Sequence, residues 1–255
     1  MAGPSLDSIG EIPVLFEDNH ILAVVKQPGI PSQEDHTGTP DMLTLLKRDL
    51  KKRHEKPGNV FLGLIHRLDQ PVGGAMLFAK TSKAASRLSE AVRSRNFGKT
   101  YVCVVHGKPH AASGKLRHFI RKDTKLNQVT VFKQETPDAK EAVLEYTVVA
   151  STDRYSLVAV MLHTGRPHQI RAQMAFIGCP LVADRKYGAP QTGGVADIAL
   201  WSTSVSVSHP ITKEHVCFRS IPYGSKAWGW WPQAELEAAA DIYLAKGDSA
   251  HAPKD

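Results

Sequence analysis

Apolar residues along this chain fall mainly into short runs separated by polar turns, a pattern typical of β-strands. The predicted strands are residues 14–16, 21–25, 75–79, 101–105, 116–120, 129–132, 142–150, 157–162, 200–207 and 215–219. Residues 61–69 are predicted to be a buried strand that runs into a loop at residues 66–69. Between residues 101 and 162 the connections are short and polar, which favours antiparallel neighbours. The pattern therefore predicts a mixed sheet that is largely antiparallel.

Helical spacing of apolar residues predicts three further elements. They are residues 42–50, 84–92 and 168–177. Ser82 is expected to cap the second helix, and Gly178 is expected to end the third. Arg171 lies one step round from the apolar face of the third helix, so its side chain could point into a cleft. Strands and helices together indicate an α+β fold.

Composition narrows the class of partner only slightly. The 255 residues carry a formal net charge of +7, which favours partners that bear phosphate but does not require them. The densest basic run is at residues 47–56, and it predicts either a solvated helix face or a surface that follows phosphates. Trp228, Trp230 and Trp231 favour a packed C-terminal tail over a platform for stacking bases or binding a partner.

The cysteines and the N-terminal pattern favour a reducing compartment. Cys103, Cys179 and Cys217 are far apart, odd in number and without metal-site spacing. Residues 1–12 resemble neither a secretory signal nor a transit peptide, and no apolar run approaches the length of a membrane span. We expect a cytoplasmic protein that contacts no membrane, binds no metal and uses no cofactor.

The candidate chemistry centres on Asp69 in the motif His66-Arg67-Leu68-Asp69, which follows an apolar run and precedes Gly73-Gly74. A neighbouring arginine favours the ionised form of an aspartate, so Asp69 could act as a nucleophile or a base. The alternative is an Arg-Asp pair that only fixes a loop.

A second basic cluster, residues 162–171, contains no carboxylate, and we expect none to be attached to it. Glycoside hydrolases normally need two carboxylates. The nearest candidate for a second is Asp184, whose neighbours predict a polar turn and a structural or positioning role. A single aspartate with arginines favours an isomerisation that needs neither water nor redox chemistry.

These motifs resemble the RluA-like family of RNA pseudouridine synthases. The resemblance rests on residues 66–69 and 165–171, supported by Val25-Lys26, Lys99-Thr100-Tyr101, the segment 183–188 and His209-Pro210-x-Thr212. It extends over residues 14–222 and implies a pseudouridine synthase catalytic domain there, with flanking helices and a central cleft. Residues 1–13 would be an N-terminal extension, and residues 223–255 a C-terminal tail that is partly helical.

The resemblance implies roles for three catalytic residues. Asp69 matches the essential aspartate, which attacks the ribose or the uracil or abstracts a ribose proton. Tyr101 matches a tyrosine that packs on the target base and could accept the proton lost from carbon 5. Arg171 matches the cation that pairs with the aspartate.

It also implies residues that bind the substrate. They are His66, Arg67, Arg166 and His168. Arg67 would occupy the place of the flipped uridine, which offsets part of the cost of unstacking the base. His66 would orient the loop or contact RNA. The usual Thr-Ser-Gly after the motif is replaced by Val72-Gly73-Gly74, so two hydroxyls that could contact RNA are missing.

The resulting prediction is a monomeric enzyme that isomerises specific uridines in structured ribosomal or transfer RNA. Two alternatives stay open. One is a catalytically inactive RNA-binding module of the same fold, which would not need to keep Asp69, Tyr101 and Arg171. The other is a nucleoside or glycoside hydrolase, which the missing second carboxylate disfavours.

Overall fold

The structure is a computed structural model, and it describes residues 12–34, 38–55 and 57–244. Most of the predicted N-terminal extension, residue Lys56 of the basic run and the end of the predicted tail lie outside the described residues. The chain divides into two compact units. Of the described residues, the first contains those up to Phe97 together with Val205–Ser220, and the second contains Gly98–Ser204 and those from Ile221 onward.

The described residues form eleven strands and four α-helices. The strands are β1 Val14–Glu17, β2 Ile21–Lys26, β3 Gly63–Leu64, β4 Gly73–Ala79, β5 Phe97–His106, β6 Ser113–Asp123, β7 Gln128–Phe132, β8 Lys140–Ser151, β9 Tyr155–Leu162, β10 Leu200–Ser208 and β11 His215–Arg219. The helices are α1 Met42–Arg53, α2 Ser82–Arg93, α3 Gln169–Phe176 and α4 Gln233–Asp241, with single 3-10 turns at Arg185–Tyr187 and Trp228–Trp230. The predicted α+β class is confirmed, while the predicted central cleft stays a prediction.

In the first unit, β2 is the middle strand of an antiparallel sheet and pairs with β1 and β4. Every residue of β2 and β4 is buried, which matches their continuous apolar sequence. Helix α2 covers this sheet through Ala84 and Leu88, which pack in one cluster with Ile21 and Leu77. The paired strands β2 and β4 therefore form the buried centre of the first unit.

In the second unit, the strand order is β5-β9-β8-β6-β7, and each registered pair is antiparallel. A small apolar cluster joins the far end of this sheet to α3 through Ile120, Val129, Ala142 and Ala172. The C-terminal segment packs on the same unit: Trp228 and Trp231 are buried, and Trp230 stacks on Tyr155 with 4.6 Å between the ring centroids. This agrees with the predicted packed tail.

Two local predictions were wrong. The buried strand that was predicted to run from residue 61 into the loop at residues 66–69 is only Gly63–Leu64, and Phe61 is half exposed. The backbone after Ile65 instead bonds to side chains and to another loop, as described below. Helix α2 is capped by Thr81, whose hydroxyl accepts the Ala84 N–H at 3.2 Å, while Ser82 is the first helical residue.

Glu17, at the end of β1, binds three basic side chains. Its carboxylate contacts Lys80 at 2.6 Å, Arg53 at 2.8 Å and His54 at 2.9 Å. Burial alone would raise the pKa of the Glu17 carboxyl, but the hydrogen bonds from these groups lower it to about 2. The carboxylate therefore stabilises the fold over most of the pH range.

Glu17→Gln should lower the free energy of unfolding at pH 7 by about 1 kcal/mol, the scale of a partly solvated ion-pair network. A lowered folded pKa stabilises the native state above the unfolded value of 4.5, and this stability is lost as the pH falls towards 2. Urea unfolding at several pH values should therefore show the wild type and the variant converging near pH 2. Glu90→Gln, in the exposed pair with Arg93, is the control. A constant difference at all pH values would contradict this account.

Candidate active site

The loop that carries Asp69 is held to the loop that follows β2, within the first unit. The Ser32 hydroxyl donates to the Leu68 carbonyl at 2.7 Å and accepts the Leu68 N–H at 3.1 Å. The N–H of Gly29 donates to the Gln70 carbonyl at 2.8 Å, and the Gln70 side-chain amide donates to the Gly29 carbonyl at 3.1 Å. The residues on both sides of Asp69 are thus fixed by reciprocal hydrogen bonds.

Lys26 adds a third attachment to this loop. It is fully buried at the end of β2, and its ammonium donates to the carbonyls of Gln27 and Gln70, each at 2.9 Å. Burial lowers the pKa of Lys26 to about 7, and the negative charge of Asp69 acts in the opposite direction. Within the first unit, the Lys26 amine therefore interacts with the charge of Asp69. Sequence analysis named it only within a motif and assigned it no role.

His66 and Arg67 face different surroundings. The Leu77 N–H donates to Nε2 of His66 at 3.0 Å, and the imidazole packs on Phe97 with 5.1 Å between ring centroids. A ring nitrogen that accepts an N–H must be unprotonated, so His66 braces the loop against β4. Of the two roles expected for His66, this supports the orientation of the loop. Arg67, in contrast, is exposed.

The predicted Gly73-Gly74 pair starts β4. Gly74 is paired with Lys26 across the sheet and has φ +118°, a backbone conformation that side chains disfavour. A glycine is thus needed where the chain turns from the Asp69 loop into the buried strand.

Tyr101 lies in β5 of the second unit, opposite Val160 of β9, and is buried. Lys99 is two residues earlier in the same strand, so the two side chains lie on one face. A Cβ on Gly165 would come within 2.8 Å of the Lys99 ammonium. A side chain at Gly165 would therefore require the flexible end of the Lys99 side chain to shift, a contact with the second cluster that the sequence did not reveal.

Arg171 is buried in α3 and forms a bidentate ion pair with Asp184. Its Nε and Nη2 lie 2.7 and 2.8 Å from the two carboxylate oxygens. The expectation that no carboxylate is attached to the second basic cluster was therefore wrong. Asp184 was expected to lie in a polar turn with a structural or positioning role. In the structure it is buried and holds the Arg171 guanidinium, which agrees with that role.

Tyr187 links this ion pair to His168. The Arg171 guanidinium lies over the Tyr187 ring, 5.3 Å from its centroid. The Tyr187 hydroxyl accepts the Val129 N–H at 3.1 Å and lies 2.7 Å from Nδ1 of His168. His168 has φ +50° immediately before α3. Tyr187 thus fixes a strained histidine as well as the arginine, and sequence analysis assigned it no role.

Gln169 holds the turn that precedes α3. Its side-chain oxygen accepts from the Thr164 hydroxyl at 2.8 Å and from the Arg166 N–H at 3.0 Å. The Arg166 guanidinium donates to the Glu141 carbonyl at 2.8 Å. The structure therefore gathers Arg166, His168 and Arg171 around the start of α3 in the second unit, and His66, Arg67 and Asp69 in one loop of the first.

Within the described ranges, every helix is too short or too polar to span a membrane. Among the same residues, no three His, Cys, Asp or Glu side chains are grouped so that they could hold a metal ion.

The comparisons with known proteins now identify the family. Residues 20–176 match the family model described as RNA pseudouridylate synthase. This chain belongs to that family. The resemblance found in the sequence is confirmed, and the chain is an isomerase that acts on uridine in RNA.

Two relatives and one solved structure illustrate the similarity. The tRNA pseudouridine synthase C of Haemophilus influenzae is 31% identical over 225 residues, which cover 80% of this chain and 90% of the relative. The ribosomal large subunit pseudouridine synthase D of Vibrio parahaemolyticus is 31% identical over 223 residues, 81% of this chain and 66% of the relative. Human RNA Pseudouridylate Synthase Domain Containing 4 has the same fold, with a TM-score of 0.69, 21% identity and coverage of 91% and 93% of the two chains.

Asp184→Asn should lower the free energy of unfolding by about 3 kcal/mol, because it leaves the buried Arg171 guanidinium facing an amide in place of a carboxylate. Denaturant unfolding measures this change. Glu141→Gln is the matched control, since its ion pair with Arg117 is largely exposed and should contribute less than about 1 kcal/mol. Equal losses in the two variants would show that the buried Asp184 pair contributes no more to the free energy of unfolding than the Glu141 pair does.

Proposed function

We propose that this enzyme converts specific uridines of structured transfer or ribosomal RNA to pseudouridine, with Asp69, Tyr101 and Arg171 as its catalytic residues. The observation that carries the proposal is the loop of Asp69, fixed on both sides by hydrogen bonds from residues 26–32. Such fixation suits a group that must meet a reacting atom in one geometry. The names of the two relatives supply the RNA classes.

The reaction explains why one aspartate is sufficient. The bond between the ribose and N1 of uracil breaks, and a bond between the same ribose carbon and C5 forms. N1 gains a proton and C5 loses one, so the atoms balance without water, an oxidant or a reductant. The enzyme must start the cleavage, retain the freed uracil while it rotates, and move one proton.

Each proposed residue has a place in that sequence. Asp69, as a carboxylate, would attack the ribose or the uracil, or abstract a ribose proton. Arg67 is exposed at the same loop, which suits a side chain that takes the place of the extruded base. Tyr101 would accept the proton from C5.

Arg171 would orient and hold the charge of the aspartate. Asp184 and Tyr187 already fix its guanidinium, so little entropy would be lost when it acts. We further propose that Arg166 and His168 contact the substrate from the turn before α3. His66 would act indirectly, by orienting the loop that carries Asp69.

A basic face of α1 offers a surface for the RNA backbone. Lys47, Arg48, Lys51 and Lys52 are exposed, and within the described part of the chain none of them forms an ion pair. Arg53, at the end of the helix, is instead bound to Glu17 and Asp49. We propose that these four side chains follow the phosphates of the RNA substrate.

We also propose that residues 14–222 form the catalytic domain, that the enzyme is a monomer and that it is cytoplasmic. The family match over residues 20–176 lies inside the proposed domain. The three cysteines form no disulfide, which supports a reducing compartment.

RNA labelled with tritium at C5 of uridine tests the chemistry, because only isomerisation releases that tritium without freeing uracil. The wild type should release it from a transfer or a ribosomal RNA, and Asp69→Ala should be at least about 1,000-fold slower, since a nucleophile or base is lost. Lys83→Ala, exposed on α2, is the control and should match the wild type.

The products separate the competing activities. No release from any ribosomal or transfer RNA, with binding retained, would favour an inactive RNA-binding module. Free uracil would favour a hydrolase.

The α1 surface is tested by charge removal. Arg48→Gln, Lys51→Gln and Lys52→Gln combined should weaken RNA binding and reduce the slope of log Kd against log salt by about 2, since each lost phosphate contact contributes somewhat less than 1. A matched triple, Arg121→Gln, Lys122→Gln and Lys125→Gln on the hairpin of β6 and β7, removes the same charge. Equal effects in both triples would mean that only net charge matters.

A further inference from the structure

Lys26 is buried at a position where a charge is costly. It ends β2 after five apolar residues and is 0% exposed. Burial lowers its pKa to about 7, so the surroundings disfavour the ammonium form. A methionine or leucine would continue the apolar strand without this penalty. The amine donates to the carbonyls of Gln27 and Gln70, so its role at this position involves the loop that carries Asp69.

Its contacts point to Asp69. The ammonium donates to the carbonyl of Gln70, the residue that follows Asp69, at 2.9 Å. The same carbonyl also accepts the Gly29 N–H at 2.8 Å. The charge of Asp69 acts on Lys26 in the direction that keeps the amine protonated. Lys26 thus interacts with the Asp69 loop through both a backbone hydrogen bond and charge.

We propose that Lys26 is a positioning residue for Asp69: its buried ammonium fixes the Asp69–Gln70 backbone and compensates the carboxylate charge while the reaction proceeds. Lys26 does not touch the substrate in this account. The inference rests on the proposed catalytic role of Asp69. Ser32 and Gly29 hold the same loop with uncharged groups, so the contribution specific to Lys26 is its charge.

Three substitutions separate charge from hydrogen bonding. Lys26→Met keeps the length and removes both, Lys26→Gln keeps a donor without charge, and Lys26→Arg keeps the charge. Lys83→Met, on the exposed face of α2, is the control. The measurements are the single-turnover rate of tritium release at saturating RNA, the Kd for that RNA, and the unfolding midpoint of each variant.

Lys26→Met and Lys26→Gln should each lower the single-turnover rate by about 30-fold or more while leaving Kd within about threefold, because the chemistry and not the RNA surface has changed. Lys26→Arg should recover a substantial part of the rate. Each variant is assayed at a temperature well below the midpoint of its thermal unfolding. If Lys26→Met does not fold, Lys26→Gln and Lys26→Arg decide the question.

Two results would overturn the inference. One is a rate for Lys26→Gln within threefold of the wild type. The other is a loss of rate that is matched by weaker RNA binding or that Lys26→Arg does not relieve, as expected for a purely structural lysine. An inactive wild type would instead remove the proposed function itself, and an active wild type with an inactive Asp69→Ala leaves only the role of Lys26 in question.

Discussion

Buried backbone groups outside helices and sheets need hydrogen-bond partners, and this requirement shapes the loop that carries Asp69. The loop satisfies it through residues 26–32: Ser32 bonds both backbone groups of Leu68, and Gly29 and Lys26 share the carbonyl of Gln70. Because β2 precedes one loop and β4 follows the other, the buried pair of strands fixes both. The aspartate is thus placed by two paired strands whose residues are all buried.

In the second unit, an ion pair provides the partner that a buried polar side chain needs. Both carboxylate oxygens of Asp184 accept from one edge of the Arg171 guanidinium, Nε and Nη2, and the Tyr187 ring covers its face. A buried arginine is costly unless it is paired in this way. The same tyrosine holds His168 in its left-handed conformation. A guanidinium fixed on two sides can present its charge without further reorganisation, which is what electrostatic stabilisation of a reacting group requires.

Periodicity and motifs predicted the fold class, most strands and the residues of the two clusters, because these depend on local patterns. They failed where a distant side chain decides the structure. The strand that was predicted to run from residue 61 into the motif loop ends at Leu64, and the backbone of Leu68 in that loop bonds to Ser32, a residue distant in the chain. Asp184 and Lys26 were recognisable as motif members, yet their partners are distant in the chain: Gln70 is 44 residues from Lys26. A lysine that ends an entirely apolar strand was the one available signal.

The central claim is that Asp69 modifies particular uridines of cellular RNA. Pseudouridine can be mapped at single-nucleotide resolution in ribosomal and transfer RNA from cells whose only copy of this enzyme carries Asp69→Asn. The account predicts that one or a few positions lose pseudouridine in the variant and regain it when the wild-type enzyme is restored. Identical maps in wild-type and variant cells would contradict it.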